Sequence, residues 1–121
     1  MSVDYNTLEQ LIGATNAGKI FALRDGCLGD EEANGERHLY YVGKLPPGVD
    51  FDLYRNRVEE RVTSALGHSG VSLDYRMVDY RGKEALRVTL RGDALIASHE
   101  LDREQMKADQ LLEERGNSPS P

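Results

Sequence analysis

The feature that most constrains the fold is an alternation of polar and apolar residues between Val71 and Leu90. Two stretches with this period of two meet at residues 80–83 (Tyr-Arg-Gly-Lys), and a glycine-containing turn between such stretches is typical of a β-hairpin. Successive side chains of a strand point to opposite sides, so one face of the hairpin is expected to pack on a core. The expected core-facing residues are Val71, Leu73, Tyr75, Met77, Leu86, Val88 and Leu90.

The first part of the chain predicts one helix and two strands. Asp4 can cap a short helix that Gly13 ends, because Asp accepts from free amides at a helix start and glycine is common just past a helix end. Residues 19–23 (KIFAL) are apolar enough for a strand, and residues 37–45 (RHLYYVGKL) predict a second strand. Residues 25–35, between them, are acidic and contain three glycines, which indicates an exposed loop.

Two further helices have boundary signals. Asp50 is placed to cap a helix whose apolar residues follow helical spacing as far as Gly67. Asp102 and Gln105 match a capping box, which predicts that the last helix begins there. Residues 116–121 (GNSPSP) are predicted to form a disordered tail.

The predicted order is helix, strand, strand, helix, strand, strand, helix, in one domain over residues 1–115 that precedes the tail. This order indicates a two-layer α+β fold, with an antiparallel or mixed sheet of about four strands and helices on one face. The residues expected to form the core are Phe21, Leu23, Leu39, Tyr41, Tyr54, Val58, Val62, Leu73, Leu86 and Val88.

Composition limits the partners and the location that we expect. The chain has 121 residues, a formal net charge of -6 and a pI near 5.0. A net anion is repelled by nucleic acid and by anionic membranes, which disfavours nonspecific attachment to either. No apolar run approaches the roughly 18–20 residues needed to span a bilayer, the start of the chain has no signal-peptide pattern, and the single cysteine cannot form an internal disulfide. We therefore expect a cytoplasmic protein that does not bind membranes.

Residues 13–19 (GATNAGK) match the first part of a phosphate-binding loop. Ile20 stands where that motif has a Ser or Thr for magnesium, and the motif needs a strand before it and a helix after it, whereas the predicted order is reversed. A glycine-rich turn is the better interpretation.

The sequence shows no convincing catalytic or metal site. His38, His68 and His99 lack the spacing typical of metal ligands, and residues 30–32 (Asp-Glu-Glu) lack the alternating ligands of a calcium loop. Cys27 has no identifiable histidine partner and is better interpreted as a packed thiol. We therefore expect no metal and no cofactor and favour a non-catalytic protein, while a small enzyme with a site assembled by folding around Cys27 or the histidines stays open.

The strongest binding candidate is the set of basic residues on the hairpin. One hairpin face is expected to carry three arginines, with two more basic residues at its tip beside a tyrosine that could stack on a base or a partner side chain. Asp74, Asp79 and Glu84 dilute this charge, so cross-strand ion pairs on a solvated sheet explain the same pattern without a ligand. The candidate binding residues are Arg76, Tyr80, Arg81, Lys83, Arg87 and Arg91.

The hairpin carries Gly82-Lys83 followed by the alternating residues 86–90 (LRVTL). Together with the strand and helix before it, this layout is similar to the later part of the Schlafen-type AlbA domain. The Asn-Gly-Gly turn and the Glu-Phe-Lys strand of that family are absent, so the resemblance implies no active-site residues here. The order of elements over the whole chain also resembles that of the acidic, dimeric secretion chaperones.

Two binding functions follow from these patterns. The first is a protein-binding module, an accessory, adaptor or assembly subunit of a larger complex, with self-association into a dimer expected. The alternative is a nucleic-acid-binding or nucleic-acid-processing domain that uses the arginine-bearing face of the hairpin at residues 71–91.

Overall fold

Four helices pack on one face of a five-stranded antiparallel sheet in a computed structural model that describes residues 4–116. The two-layer α+β class is therefore confirmed. The order differs from the prediction, because two helices precede the first strand and three strands follow the central helix. The elements are α1 (Tyr5–Ile12), α2 (Ala14–Arg24), β1 (Cys27–Ala33), β2 (Glu36–Val42), α3 (Phe51–Leu66), β3 (Val71–Leu73), β4 (Val78–Tyr80), β5 (Lys83–Leu90) and α4 (Gly92–Gly116).

The sheet is built around β5. This strand pairs with β2 on one side and with both β3 and β4 on the other, while β1 pairs with the outer side of β2. All pairings are antiparallel, and Val88 lies opposite both Leu39 of β2 and Leu73 of β3. Strands β1 and β3–β4 are therefore the two edges of the sheet.

The core lies between the sheet and the helices. Alternate residues of β2 and β5 are buried on this side because a strand exposes every second side chain to the same face. The helices cover them with apolar side chains spaced at helical intervals. The largest fully buried side chains are Leu8, Tyr41, Val58, Val62, Leu86, Val88 and Leu90.

Helix α2 contains the residues predicted as a strand at 19–23, so that prediction is wrong. Ala17, Ile20 and Leu23 are three residues apart, and this spacing puts them on one side of a helix, toward the core. Phe21, expected in the core, is exposed on the other side of α2 and contacts the ring of Tyr5 edge-on at 5.5 Å. Residues 14–19 are helical, so the segment that resembles a phosphate-binding loop is neither that loop nor a turn.

The acidic loop predicted at residues 25–35 is instead strand β1 and the turn into β2. Both turn residues, Asn34 and Gly35, have positive φ, as a tight hairpin turn requires. The charged side chains of β1 are tolerated in a strand because they pair with polar groups from elsewhere in the fold, for example Asp30 with Arg37 at 2.6 Å and Glu32 with His99 at 2.5 Å.

The predicted turn at residues 80–83 is confirmed, with Tyr80 paired to Lys83 across Arg81 and Gly82. The strand before it is interrupted. Leu73 lies opposite Val88 and Val78 lies opposite Ala85, so two extra residues bulge out between β3 and β4. Tyr75, expected in the core, lies in this bulge and is 83% exposed, with the Arg55 guanidinium 4.9 Å from its ring centroid.

Helix α4 begins at Gly92, ten residues before the predicted start at Asp102. Ala94, Leu101 and Ala108 are buried at intervals of seven residues, and this continuous apolar side keeps the helix packed on α1, α2 and α3. Gly116 ends α4, and the rest of the tail predicted for residues 116–121 lies outside the described residues. Among the helices at residues 4–116, none is long and apolar enough to cross a membrane.

Candidate functional site

The side of the sheet that points away from the helices is the main candidate site. Residues that lie opposite one another in neighbouring strands share a face of the sheet, so the strand register defines this side. No helix within residues 4–116 covers it. This surface, the helix-free face, is formed by Glu31, His38, Tyr40, Val42, Ser72, Val78, Tyr80, Lys83, Ala85, Arg87 and Thr89.

Two tyrosines form the centre of the helix-free face. The rings of Tyr40 and Tyr80 are stacked, with centroids 4.2 Å apart and an angle of 27° between their planes. Tyr80 reaches beyond Tyr40 to β1, where a Cβ on Gly29 would overlap the Tyr80 phenol. The tip of the β4–β5 hairpin therefore curls over the sheet and covers Tyr40, which is only 8% exposed.

Arg81, at the tip of the hairpin, contacts Tyr80 of this stack and Glu31 of β1. Its guanidinium lies 5.3 Å from the ring centroid of Tyr80 and 3.7 Å from Glu31 of β1. Because both groups are well exposed, this ion pair contributes little stability by itself. It links the tip of the hairpin to β1.

The close fit of Gly29 and Tyr80 gives a testable prediction. Gly29→Ala is expected to displace the Tyr80 ring and to lower the free energy of unfolding by about 1–2 kcal/mol. The same substitution in a Tyr80→Ala background should cost less than about 0.5 kcal/mol, because the obstructing ring is gone. Urea unfolding of the four proteins measures this coupling, and simple additivity would show that the two residues do not meet.

The arginine of the helix-free face, Arg87, and Arg91 beside it are both paired. Nε of Arg87 donates to Oδ2 of Asp74 at 2.7 Å, and this hydrogen bond raises the pKa of Arg87. Arg91, just after β5, pairs with Glu36 at 2.9 Å. Ion pairing within the sheet, the alternative considered from the sequence, is thus realised at both arginines.

The remaining candidate cations, Arg76 and Lys83, lie in the bulge and at the start of β5. Arg76 is exposed in the bulge between β3 and β4, so it does not share a strand face with Arg87 of β5. Lys83 begins β5 and is also exposed. Neither makes an ion pair with any residue between 4 and 116. These are the two candidate cations that remain available to a ligand.

The histidines and the cysteine do not come together. His38 shares a hydrogen bond with Thr89, at 3.0 Å from Nδ1 to Oγ1, His99 pairs with Glu32, and His68 is exposed after α3. Burial raises the pKa of the Cys27 thiol, which favours its protonated form at neutral pH. In the part of the chain that the structure describes, no three His, Cys, Asp or Glu residues are grouped to hold a metal ion.

An ion-pair cluster around Arg37 was missed by the sequence reasoning. Arg37 alternates with Leu39 and Tyr41 along β2, so its side chain points toward the helices. There it lies between Asp30 of β1 and Asp102 of α4, at 2.6 and 2.7 Å. The sequence did contain a signal for this cluster, because Arg37 stands at a core-facing position of a strand and a buried charge needs a partner.

Comparison of the chain with protein-family models, with curated proteins and with solved structures finds no match. The resemblances to the AlbA domain and to secretion chaperones therefore rest on the hairpin pattern and the approximate order of elements alone.

Proposed function

We propose that this protein is a non-catalytic protein-binding module, an accessory or assembly subunit of a larger complex, and that the helix-free face is its contact surface. The observation that carries the proposal is a sheet face without a covering helix on which tyrosine and arginine side chains are held in fixed positions. Tyrosine and arginine are enriched among the residues that dominate binding energy at protein interfaces.

Two of these side chains are held in place by contacts within the protein, and this supports a binding role. Tyr80 is held by its stack on Tyr40, and Arg87 by its hydrogen bond to Asp74. A side chain that is already ordered loses less conformational entropy when a partner binds. A partner would therefore meet a surface prepared for contact.

The charge balance favours a protein over nucleic acid as the partner. Four cations (Arg81, Lys83, Arg87 and Arg91) accompany three carboxylates (Glu31, Glu36 and Asp74), and three of these cations are paired with them. Nucleic-acid binding would have to replace these ion pairs with phosphate contacts. It would also have to free the Tyr80 ring, which is stacked on Tyr40 and contacted by Arg81, whereas a protein partner can use both signs of charge as they stand. Nucleic acid remains the alternative, through Lys83 and Arg76.

Self-association is part of the proposal. A two-fold dimer brings the same patch of two copies together, so a surface with both signs of charge can place the cations of one copy against the carboxylates of the other. The helix-free face and its margins have both signs close together. We expect the chain to sediment as a dimer, or to do so in complex with its partner.

A charge-reversal pair tests the contact surface. Arg81→Glu with Lys83→Glu places two negative charges at the edge of the helix-free face, and Arg57→Glu with Arg103→Glu makes the same change at exposed positions on α3 and α4. Tagged proteins are used to capture partners from nuclease-treated native lysate. We expect the wild type and the α3–α4 control to retain the same protein, and the hairpin variant to retain about tenfold less.

Equal retention by both variants would contradict the proposed surface. A partner that is recovered only when nuclease is omitted would favour the nucleic-acid alternative. Thermal unfolding of each variant distinguishes lost binding from lost folding, and sedimentation of the same proteins shows whether the hairpin tip is needed for self-association.

A further inference from the structure

A cleft of about 350 Å³ lies on the helix side of the sheet, opposite the helix-free face. Strands β1 and β2 form its floor, and α2 and α4 form its walls. The volume is at the lower end of the roughly 300–1,000 Å³ that small-molecule pockets occupy. The apolar part of the lining consists of Ile20, Leu23, Leu28, Leu39 and Leu101, and Cys27 lies beside them.

One end of the cleft is polar and contains the ion-pair cluster of Arg37, Asp30 and Asp102. All hydrogen-bond donors of the Arg37 guanidinium are used within this end of the cleft. Arg37 donates from Nε and Nη2 to Asp30 at 2.9 and 2.6 Å, and from Nη1 and Nη2 to Asp102 at 2.7 and 3.3 Å. Its fifth N–H is directed to Oγ of Ser98 at 2.9 Å. A guanidinium has five N–H groups, so Arg37 has none left for a ligand.

The carboxylates of this cluster keep free capacity. Each accepts two hydrogen bonds from Arg37, whereas a carboxylate has about four acceptor positions. The side chains of Asp30 and Asp102 are both 44% exposed, so a ligand can reach them. Two carboxylates and one guanidinium also leave one net negative charge at this end of the cleft.

We propose that this cleft binds a small molecule that has an apolar body and a protonated amine, with the amine donating to Asp30 and Asp102. The apolar lining holds the body, and the free acceptors and the net charge select a cationic donor over an anion. This site is separate from the protein contact proposed for the helix-free face and does not depend on it.

Arg24 opposes a cation in this cleft. It lies at the rim, exposed, and forms no ion pair within residues 4–116. Its exposed charge is screened by water and salt, whereas the Asp30 and Asp102 oxygens can contact the amine directly. Removing the Arg24 charge should therefore strengthen amine binding.

The cleft volume sets the size of a suitable probe. It corresponds to about 12 water volumes of roughly 30 Å³ each, which suits a ligand of about a dozen non-hydrogen atoms. 4-Phenylbutylamine has this size, and 4-phenylbutanoate and 4-phenylbutanol provide an anion and a neutral molecule with the same apolar body. A fragment of this size is expected to bind in the millimolar range.

Cys27 provides a direct readout, because it is the single cysteine of the chain and lies in the cleft. Its alkylation by iodoacetamide is followed at a mildly alkaline pH, where enough thiolate forms for a measurable rate. We expect 4-phenylbutylamine to slow the alkylation saturably, and the acid and the alcohol to need at least about tenfold higher concentrations.

Three variants connect the effect to the polar end. Asp102→Asn should weaken protection by the amine about tenfold, and Asp30→Asn should do the same. Arg24→Gln should strengthen it about twofold to threefold. Glu113→Gln, the same type of change at an exposed position near the end of α4, should leave it unchanged.

Absence of protection by any probe would overturn the site. Equal protection by the amine, the acid and the alcohol would overturn the assignment of an amine, and so would unchanged binding in both aspartate variants. Shifts of backbone amide resonances confined to β1, β2, α2 and α4 on addition of the amine would locate the ligand independently of the thiol, and shifts elsewhere would contradict the site.

Discussion

Leu86→Ala is expected to lower the free energy of unfolding by about 3 kcal/mol, within a range of about 2–5 kcal/mol. Leu86 lies in the central strand β5 opposite Tyr41, and its side chain is fully buried. The strands on both sides of β5 and the helices above it prevent a collapse that would fill the space, so the cavity term adds to the lost burial. Urea unfolding measures the change.

Leu53→Ala is the matched control for this substitution. The same atoms are removed, but Leu53 is 58% exposed on the first turn of α3, and we expect a change of less than about 0.5 kcal/mol. A loss below about 1 kcal/mol for Leu86→Ala, or equal losses at both positions, would contradict the packing described for β5.

Gly70→Ala is expected to cost about 3–5 kcal/mol through the backbone. Gly70 has a φ of 89°, and a Cβ there would overlap the carbonyl oxygen of Arg91. The two chain segments are hydrogen-bonded at this point, with the Arg91 amide donating to Gly70 at 2.8 Å and the Ala94 amide donating to Ser69 at 3.1 Å. The segment before β3 and the segment before α4 would have to move apart to make room for a methyl group.

Gly48→Ala isolates the conformational part of this effect. Gly48 has a similar φ of 85°, but nothing lies within 4 Å of its added Cβ. We expect a loss of about 1 kcal/mol from the unfavourable backbone conformation alone. Thermal and urea unfolding of both variants give the difference, and equal losses would show that the approach of Gly70 to Arg91 has no energetic weight.

The elements that the sequence predicts correctly have their signals close together in the chain. Helix α3 lies between the cap at Asp50 and Gly67, and the β4–β5 turn is specified by Arg81 and Gly82. In each case the residues that determine the structure are within one helix or one turn. The α+β class follows from such local features.

The elements that were missed depend on contacts between distant parts of the chain. Strand β1 is stabilised by pairing with β2, and its Glu32 meets His99 of α4, which no local pattern indicates. The pair Asn34-Gly35 is a local hairpin signal, but the acidic residues around it resemble a loop. Asp102 resembles a helix cap in the sequence, but it lies inside α4 and pairs with Arg37, a residue 65 positions away.

The features of the candidate site also divide into those that local sequence predicts and those that depend on distant contacts. Alternation within β5 places Arg87 on the same face as Thr89, and this could be predicted from the sequence. The contact of Tyr80 with Gly29 could not, because the two residues are 51 positions apart and the glycine has no role in a turn. The cleft also requires the packing of α4, whose start was misplaced.

The two edges of the sheet determine how copies of this chain can meet at high concentration. An exposed edge strand can template the addition of another strand, but Asp30, Glu31 and Glu32 would place carboxylates opposite carboxylates if two β1 strands paired. The opposite edge consists of two three-residue strands separated by a bulge, too short and too irregular to template a partner. Growth into fibrils by edge pairing is therefore disfavoured, and crowded molecules are directed to side-chain contacts between faces.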